Sequence, residues 1–406
     1  MRIEVSDLDR NYTWPQQCPI VGDFNMSDKI LKIAIVVNII PNYREGFYDR
    51  LFSRKDLLVK VYCQDRIPGM NLKTIHNKYP NNVKLLKYFS AKREKLSWQF
   101  IPWREVLIGY DVVFVEGNPR NLSHAILASY LRLFRKKVVL WTMAHSFRGY
   151  ALTENLRLLW SRIFDSLFVY TDAEVDFLRR KGFKNNYIVS MNNGLDQKNI
   201  DATILMWPEK RLQEWRIAHK LENRTLLLSC ARLEQKNRFD QVVRALPTII
   251  KHIPTILWCV IGSGSELNRL KNAVNADCLF KHVHFVGELY CEKELAPWYL
   301  SSEIFLHPAA AGLSILHAFG YGLPVVINDN KYAHGPEYGA FEQARTGWTF
   351  HENNVRHLSE TIINLLNDDE ARKSMKSYVH KVTREKYNVD VMVERFVQIA
   401  KIAANK

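Results

Sequence analysis

Residues 303–337 read EIFLHPAAAGLSILHAFGYGLPVVINDNKYAHGPE, and the fold is read outward from this stretch. Ile304 to Leu306 is an apolar run of strand length, and Pro308 ends it because proline cannot continue a ladder. A loop of small residues follows, Ala309 to Gly312. Leu313, Leu316 and Gly320 then fall on one face of a helix. Gly322 and Pro324 stop that helix, and Val325 to Ile327 start a second buried strand. The unit is strand, tight loop, helix, strand. Bare N–H groups at such a helix start, with the positive end of the helix dipole, favour an anion, typically a phosphate.

The chain of 406 residues is long enough for two or three domains. Its 47% hydrophobic and 24% charged content is that of a globular protein. A formal charge of +15 suits an anionic partner: a nucleotide, a nucleic acid or an acidic membrane surface. No nucleic-acid-binding signature accompanies that charge, so a nucleic-acid partner is not expected. The 10 Trp and 18 Tyr suit a membrane interface. The six cysteines form no C-x-x-C pair, which argues for a reducing compartment and no zinc site. No apolar run reaches the ~20 residues that span a bilayer. Residues 1–28 are polar, carry Pro15 and Pro19 and lack the apolar core of a signal peptide. They read as a loose extension, with Met26 as a candidate native start.

Strand and helix signals alternate from Leu31 onward. Strands are expected at Leu31–Val37, Leu57–Tyr62, Val83–Phe89, Asp111–Val115, Lys137–Thr142, Ser166–Tyr170 and Tyr187–Val189, with helices between them, including one over Trp98–Ile108. Asn192-Asn193-Gly194-Leu195-Asp196 marks a turn and a domain junction. The alternation restarts with strands at Thr225–Cys230, Thr255–Ile261 and His282–Val286, runs through the opening stretch, and ends in helices up to Ala403. The class is α/β, with parallel sheets covered on both faces. Two such sheets facing each other leave a cleft between their strand carboxyl ends.

Several strand ends carry chemistry. Arg232 and Lys236 leave the strand Thr225–Cys230 and could neutralise a diphosphate; alone, a solvated basic loop explains them more simply. Gly262 and Gly264 permit close backbone approach, although a plain tight turn does so as well and the third glycine of a dinucleotide fingerprint is missing. His317, early in the central helix, tilts back toward the anion, with local packing as the equal alternative. Glu337 could hold sugar hydroxyls or be a solvated surface carboxylate. His145 ends a strand of the first half and could reach a reacting centre or merely cap a loop.

Taken together these motifs resemble a glycosyltransferase of the GT-B fold, in the retaining family 4 group. ARLEQKNRFDQVVRAL (231–246) resembles that family's Arg-Leu…Lys motif, VIGSGSELNRL (260–270) its Gly-x-Gly segment and HFVGEL (284–289) the following strand. GLSILHAFGYGLPVV (312–326) is similar to its nucleotide-sugar signature, and MNNGLD (191–196) to its interdomain turn. The resemblance implies two Rossmann-like, doubly wound domains facing a central cleft. Their expected bounds are 29–196 for the acceptor domain and 197–386 for the donor domain. Residues 387–406 are expected to form a helix packing back on the first domain. It implies that Arg232 and Lys236 bind the donor diphosphate, that Gly262 and Gly264 line the nucleotide site, and that the N–H groups of Gly312, Leu313 and Ser314 hold phosphate or sugar. His145 would lie beside the transferred sugar. The chain departs from the family where Ala309 and His317 replace two glutamates. That leaves His317 or Glu337 as the candidate for the ribose contact. The Arg-to-Lys spacing is one residue short, so Gln235 or Lys236 faces the phosphate.

The expected function is retaining transfer of a sugar from a nucleotide diphosphate sugar to a saccharide or lipid-linked acceptor, with no cofactor and no obligate metal. The resemblance places it in bacterial cell-surface polysaccharide or lipopolysaccharide synthesis. The expected location is cytoplasmic, peripheral on the inner face of an anionic membrane. Lys92, Arg93, Lys95 and Trp98, or Arg132, Arg135, Lys136 and Lys137, are the candidate membrane contacts. A nucleotide-sugar epimerase of the same fold and a non-catalytic nucleotide-sugar-binding protein are the alternatives.

Overall fold

In a computed structural model, the structure describes residues 30–67, 73–91, 96–118, 120–144, 151–184 and 186–405. The first sheet is built from β1 (Leu31–Val36), β2 (Leu57–Cys63) and β3 (Val83–Leu85). β4 (Tyr88–Ala91) and β5 (Leu96–Gln99) leave it as a separate antiparallel pair, and β6 (Val112–Glu116), β7 (Lys137–Trp141), β8 (Ser166–Val169) and β9 (Tyr187–Ser190) complete it. All its pairings are parallel and the spatial order is β3-β2-β1-β6-β7-β8-β9. In β1, Ile33 and Ile35 pack into one core and Ala34 and Val36 into another on the opposite face. Burial on both faces is why the strand reads as an unbroken apolar run.

The second sheet comprises β10 (Thr225–Cys230), β11 (Ile256–Ile261), β12 (Val283–Gly287), β13 (Ser302–His307), β14 (Val325–Asn328) and β15 (Gly347–Phe350). Its order is β12-β11-β10-β13-β14-β15, again parallel throughout. Both orders reverse direction once, between β1 and β6 and between β10 and β13. Parallel, doubly wound sheets open a crevice at that reversal, beyond the strand carboxyl ends.

The chain crosses between the sheets twice, side by side. Gly194 lies so close under the second crossing that a Cβ would stand 2.4 Å from Tyr387 C and Asn388 N. Val389 N–H donates to Leu195 O at 3.1 Å. Arg50, on the helix Glu45–Phe52, holds Asp196 at 2.7 Å and Asp390 at 2.7 Å, pinning both crossings to the first sheet. The last helix, Val389–Ala404, buries Met392, Phe396 and Ile399 in the core of the first sheet, with Phe396 stacked on Phe114 at 4.1 Å.

Two expected elements are corrected. Val83–Phe89 is not one strand: its second half turns away, because Tyr88 to Ala91 finds its partner in β5. Trp98–Ile108 is not one helix. Trp98 pairs with Phe89 in β5, and the helix is Trp103–Gly109, starting after Pro102. A residue before proline is pushed out of helical geometry, so the boundary falls there.

Candidate active site at the carboxyl edge of the second sheet

The reversal between β10 and β13 places two loops side by side. After β13 the loop Pro308 to Gly312 is held from below. Asn328 Nδ2 donates to Pro308 O at 2.6 Å, and Ala311 N–H donates to His334 Nδ1 at 3.2 Å. His334 Nε2 bonds Asn328 O at 2.9 Å. Because Nδ1 accepts, the proton sits on Nε2 and the ring is neutral. Burial lowers its pKa, in keeping with that state. Ala310 adopts φ 55°, and the helix Leu313–Gly320 opens at Gly312 with no side-chain cap. Ile315 N–H donates to Gly312 O at 3.0 Å, which leaves the N–H groups of Leu313 and Ser314 as the helix-start donors without an intrahelical acceptor.

After β10, Arg232 and Lys236 stand in a loop with side chains 55% and 53% exposed; Glu234 lies between them, 4.0 Å from Arg232 and 3.1 Å from Lys236. This loop is zipped to the one after β11: Leu233 N–H donates to Ser263 O at 2.8 Å and Glu266 N–H to Leu233 O at 2.9 Å. Gly262, at φ +131°, comes so near that a Cβ would stand 2.1 Å from Ala231 O; at Gly264 it would stand 2.4 Å from Leu233 O. The close approach these glycines allow is to the Arg232 loop itself. Gly262 N–H also donates to Gly287 O at 2.7 Å, which adds the loop after β12 to the same edge.

Glu337 is not a solvated surface carboxylate. It is buried, and Asn193 of the interdomain turn donates to its Oε1 at 2.5 Å. Its Oε2 packs against Gly335 and Gly312, so the carboxyl borders the anion loop. Burial raises its pKa, against a backbone hydrogen bond, the Asn193 bond and the charge of Arg44. His317 is turned to Glu292: Nε2 lies 2.8 Å from Glu292 Oε1, and Tyr299 OH lies 3.2 Å from Nδ1. His145 lies outside the described residues, as do residues 1–28 and Lys92, Arg93 and Lys95.

The first sheet brings its own reversal to the cleft. Glu116 ends β6, and its Oε2 accepts from Asn38 N–H, after β1, at 2.7 Å. Burial raises the Glu116 pKa. Arg44 is buried with its guanidinium 5.1 Å from the Trp141 ring and 6.0 Å from Tyr170. Sequence reasoning missed Arg44, Glu116, Asn193, Glu292, Asn328 and His334. Most of their partners lie 20 or more residues away; the strand-end positions of Glu116 and Asn328 and the turn that carries Asn193 were the local signals.

Residues 211–382 match the family described as "Glycosyl transferases group 1". Two doubly wound domains and that match define the class: this is an enzyme, a glycosyltransferase of the GT-B fold. Over 328 residues the chain is 26% identical to an uncharacterized glycosyltransferase of Haemophilus influenzae, covering 79% of this chain and 82% of the relative. It is 27% identical over 191 residues to a GDP-mannose-dependent monoacylated alpha-(1-6)-phosphatidylinositol monomannoside mannosyltransferase of Corynebacterium glutamicum, covering 43% and 47% of the two chains. Among solved structures, Anabaena Alr3699/HepE in complex with UDP superposes with a TM-score of 0.67 at 14% identity, over 92% of this chain and 100% of that one.

Proposed function

We propose that the protein transfers a sugar from a nucleoside diphosphate sugar, with retention at the anomeric carbon, to a saccharide or lipid-linked acceptor of a bacterial surface polysaccharide or lipopolysaccharide. The observation that carries this reading is the convergence at the β10–β13 reversal. An uncapped helix start, two exposed cations and a neutral histidine that braces the loop all meet there. As the sugar–oxygen bond breaks, negative charge grows on the leaving diphosphate. Main-chain N–H groups at Gly312, Leu313 and Ser314, with Arg232 and Lys236, are placed to stabilise it, and this reading calls for no metal. The UDP bound in the Anabaena structure and the lipid acceptor named for the corynebacterial relative support the choice of donor and acceptor classes.

The test is incubation of the purified protein with UDP-, GDP- and dTDP-sugars and lipid-linked saccharide acceptors. Product formation with the donor's anomeric configuration, read by NMR, is expected. An inverted product would reject retention. Sugar conversion without any acceptor would favour an epimerase.

The same reading includes a membrane-facing first domain. No helix of the described residues is long and apolar enough to cross a membrane. The helix Leu122–Leu133 and the helix Ala151–Ser161 pack together through a 3.2 Å bond from Trp160 Nε1 to Ser129 Oγ. They leave Leu133, Phe134, Leu156 and Leu159 exposed. Of the four cations named for this face, Lys136 bonds Tyr110 O and Arg132 pairs with Asp165 at 3.1 Å, which leaves Arg135 and Lys137 beside the exposed apolar side chains. Co-sedimentation with anionic liposomes that is lost in Leu156→Ser/Leu159→Ser is expected; undiminished binding of that variant would remove this face from the reading.

A further inference from the structure

The turn that carries Glu337 is sewn to the anion loop. Gly335 N–H donates to Ala311 O at 2.6 Å. A Cβ on Gly335 would stand 3.1 Å from Gly312 Cα and 2.7 Å from Glu337 Oε2, and a Cβ on Gly312 would stand 3.4 Å from the same oxygen. With covalent bonds of about 1.5 Å and a hydrogen bond of about 3 Å, an anion on Leu313 N–H would lie within about 10 Å of that carboxyl. The carboxyl need not touch the anion for its charge to be felt there. Glu337 is 5% exposed, and a buried charge is screened far less than a surface one.

The surroundings can hold this carboxyl in either state. Asn193 gives Nδ2 to Glu337 Oε1, while its own Oδ1 is buried with no hydrogen-bond partner among the described residues. Turned over, the amide would offer that oxygen to a protonated Glu337, which then donates. Arg44, from the loop after β1, favours the ionised carboxyl, but its charge acts on Glu116 as well. On the same turn His334 and Tyr338 stack on each other at 5.1 Å. Tyr387 OH donates to Gly339 O at 3.0 Å, and Asp172, which follows the Thr171 side chain under Gly339, is paired with Arg395 at 2.8 Å. Across the crevice Arg232 and Lys236 share Glu234, so their loop sets a net single positive charge against the two negative charges of a diphosphate diester. A like charge nearby disfavours ionisation, and burial already does so at Glu337.

We propose that the enzyme binds its sugar donor with Glu337 protonated, so that donor binding takes up a proton and donor affinity falls as pH rises. The inference rests on the nucleoside diphosphate reading above and deepens it. The proton comes from solvent, moves to the Glu337 carboxyl as the diphosphate docks, and returns when the nucleotide leaves. Through Asn193 the same carboxyl joins the anion loop to the interdomain turn, so the turn meets a neutral acid when the donor is present and an acceptor-only carboxylate when it is not.

The experiment is calorimetric titration of the full chain with UDP-glucose and GDP-mannose from about pH 6 to about pH 8.5, where the phosphates of neither donor titrate. The wild-type dissociation constant is expected to rise by about tenfold or more across that range. Where it rises, heats measured in buffers of different ionisation enthalpy are expected to show proton uptake on binding. Glu337→Gln, which is neutral at every pH and keeps an acceptor for Asn193, is expected to hold the wild-type low-pH affinity throughout and to take up no proton. A flat wild-type profile without uptake overturns the proposal with no variant needed. So does a folded Glu337→Gln protein whose affinity still falls with pH. Failure of both donors to bind at any pH would instead remove the donor reading and this proposal with it, an outcome distinct from binding without pH dependence.

Discussion

At the scale of single residues, Arg232 and Lys236 are the clearest test of the chemistry, because their side chains stand largely in solvent at the sheet edge. Both are more than half exposed and share one carboxylate, Glu234. Exposed pairs of this kind contribute about 0–1 kcal/mol to folding. A charge contact made in the transition state contributes about 3 kcal/mol. Arg232→Ala and Lys236→Ala are therefore expected to lower turnover by about 100-fold each while shifting the unfolding temperature by only a few degrees. Steady-state rates beside thermal unfolding separate the two effects; near-normal rates in a folded double variant would contradict the charge-stabilisation mechanism. These two cations were legible in the sequence because they follow a strand directly. Glu292 was not. Its partner His317 lies 25 positions away, and in the sequence Glu292 is an ordinary acidic residue at a helix start.

At the scale of elements, the loops after β10 and β11 behave as one unit. A methyl group at Gly262 would meet Ala231 O at 2.1 Å and would also be held at φ +131°. Backbone strain and overpacking each cost about 1–3 kcal/mol. Gly262→Ala is expected to destabilise the protein by about 2–4 kcal/mol and to displace the Arg232 loop, weakening nucleotide binding along with stability. Gly109, where a Cβ would meet nothing within 4 Å, is the control, and its alanine variant should unfold at the wild-type temperature or slightly above. The central strands were legible, since they are buried on both faces and read as nearly continuous apolar runs. The exceptions have physical causes. β4 and β5 are half-exposed and pair only with each other, so no apolar run announces them. The helix Gln197–Leu205 hides behind the turn signal of Asn192 to Asp196; contacts such as Ile200 in the second domain's core help hold it.

At the scale of the whole molecule, buried imidazoles set the response to acid. Burial lowers His124 and His307 to about 3, and His284, His334 and His380 are lowered as well. Below about pH 6.5 the unfolded chain takes up protons that these folded groups refuse, so stability falls with pH. For a group as deeply buried as His124 or His307 the slope is ~1.4 kcal/mol per pH unit. Glu116 and Glu337 act the other way: their raised pKa means the folded protein holds a proton the unfolded chain has released. The imidazoles outnumber them, so the unfolding temperature is expected to drop steadily from pH 7 to pH 5; a flat profile over that range would contradict the buried neutral state. What the sequence determined by itself was the α/β alternation, the doubled architecture and the loops that favour an anion, because these depend on local periodicity, glycine and proline. What only the tertiary structure decided was which groups the carboxylates of the second domain meet. Glu337 meets Asn193 of the interdomain turn, and Glu292 meets His317 and Tyr321, because strand order rather than chain order makes them neighbours.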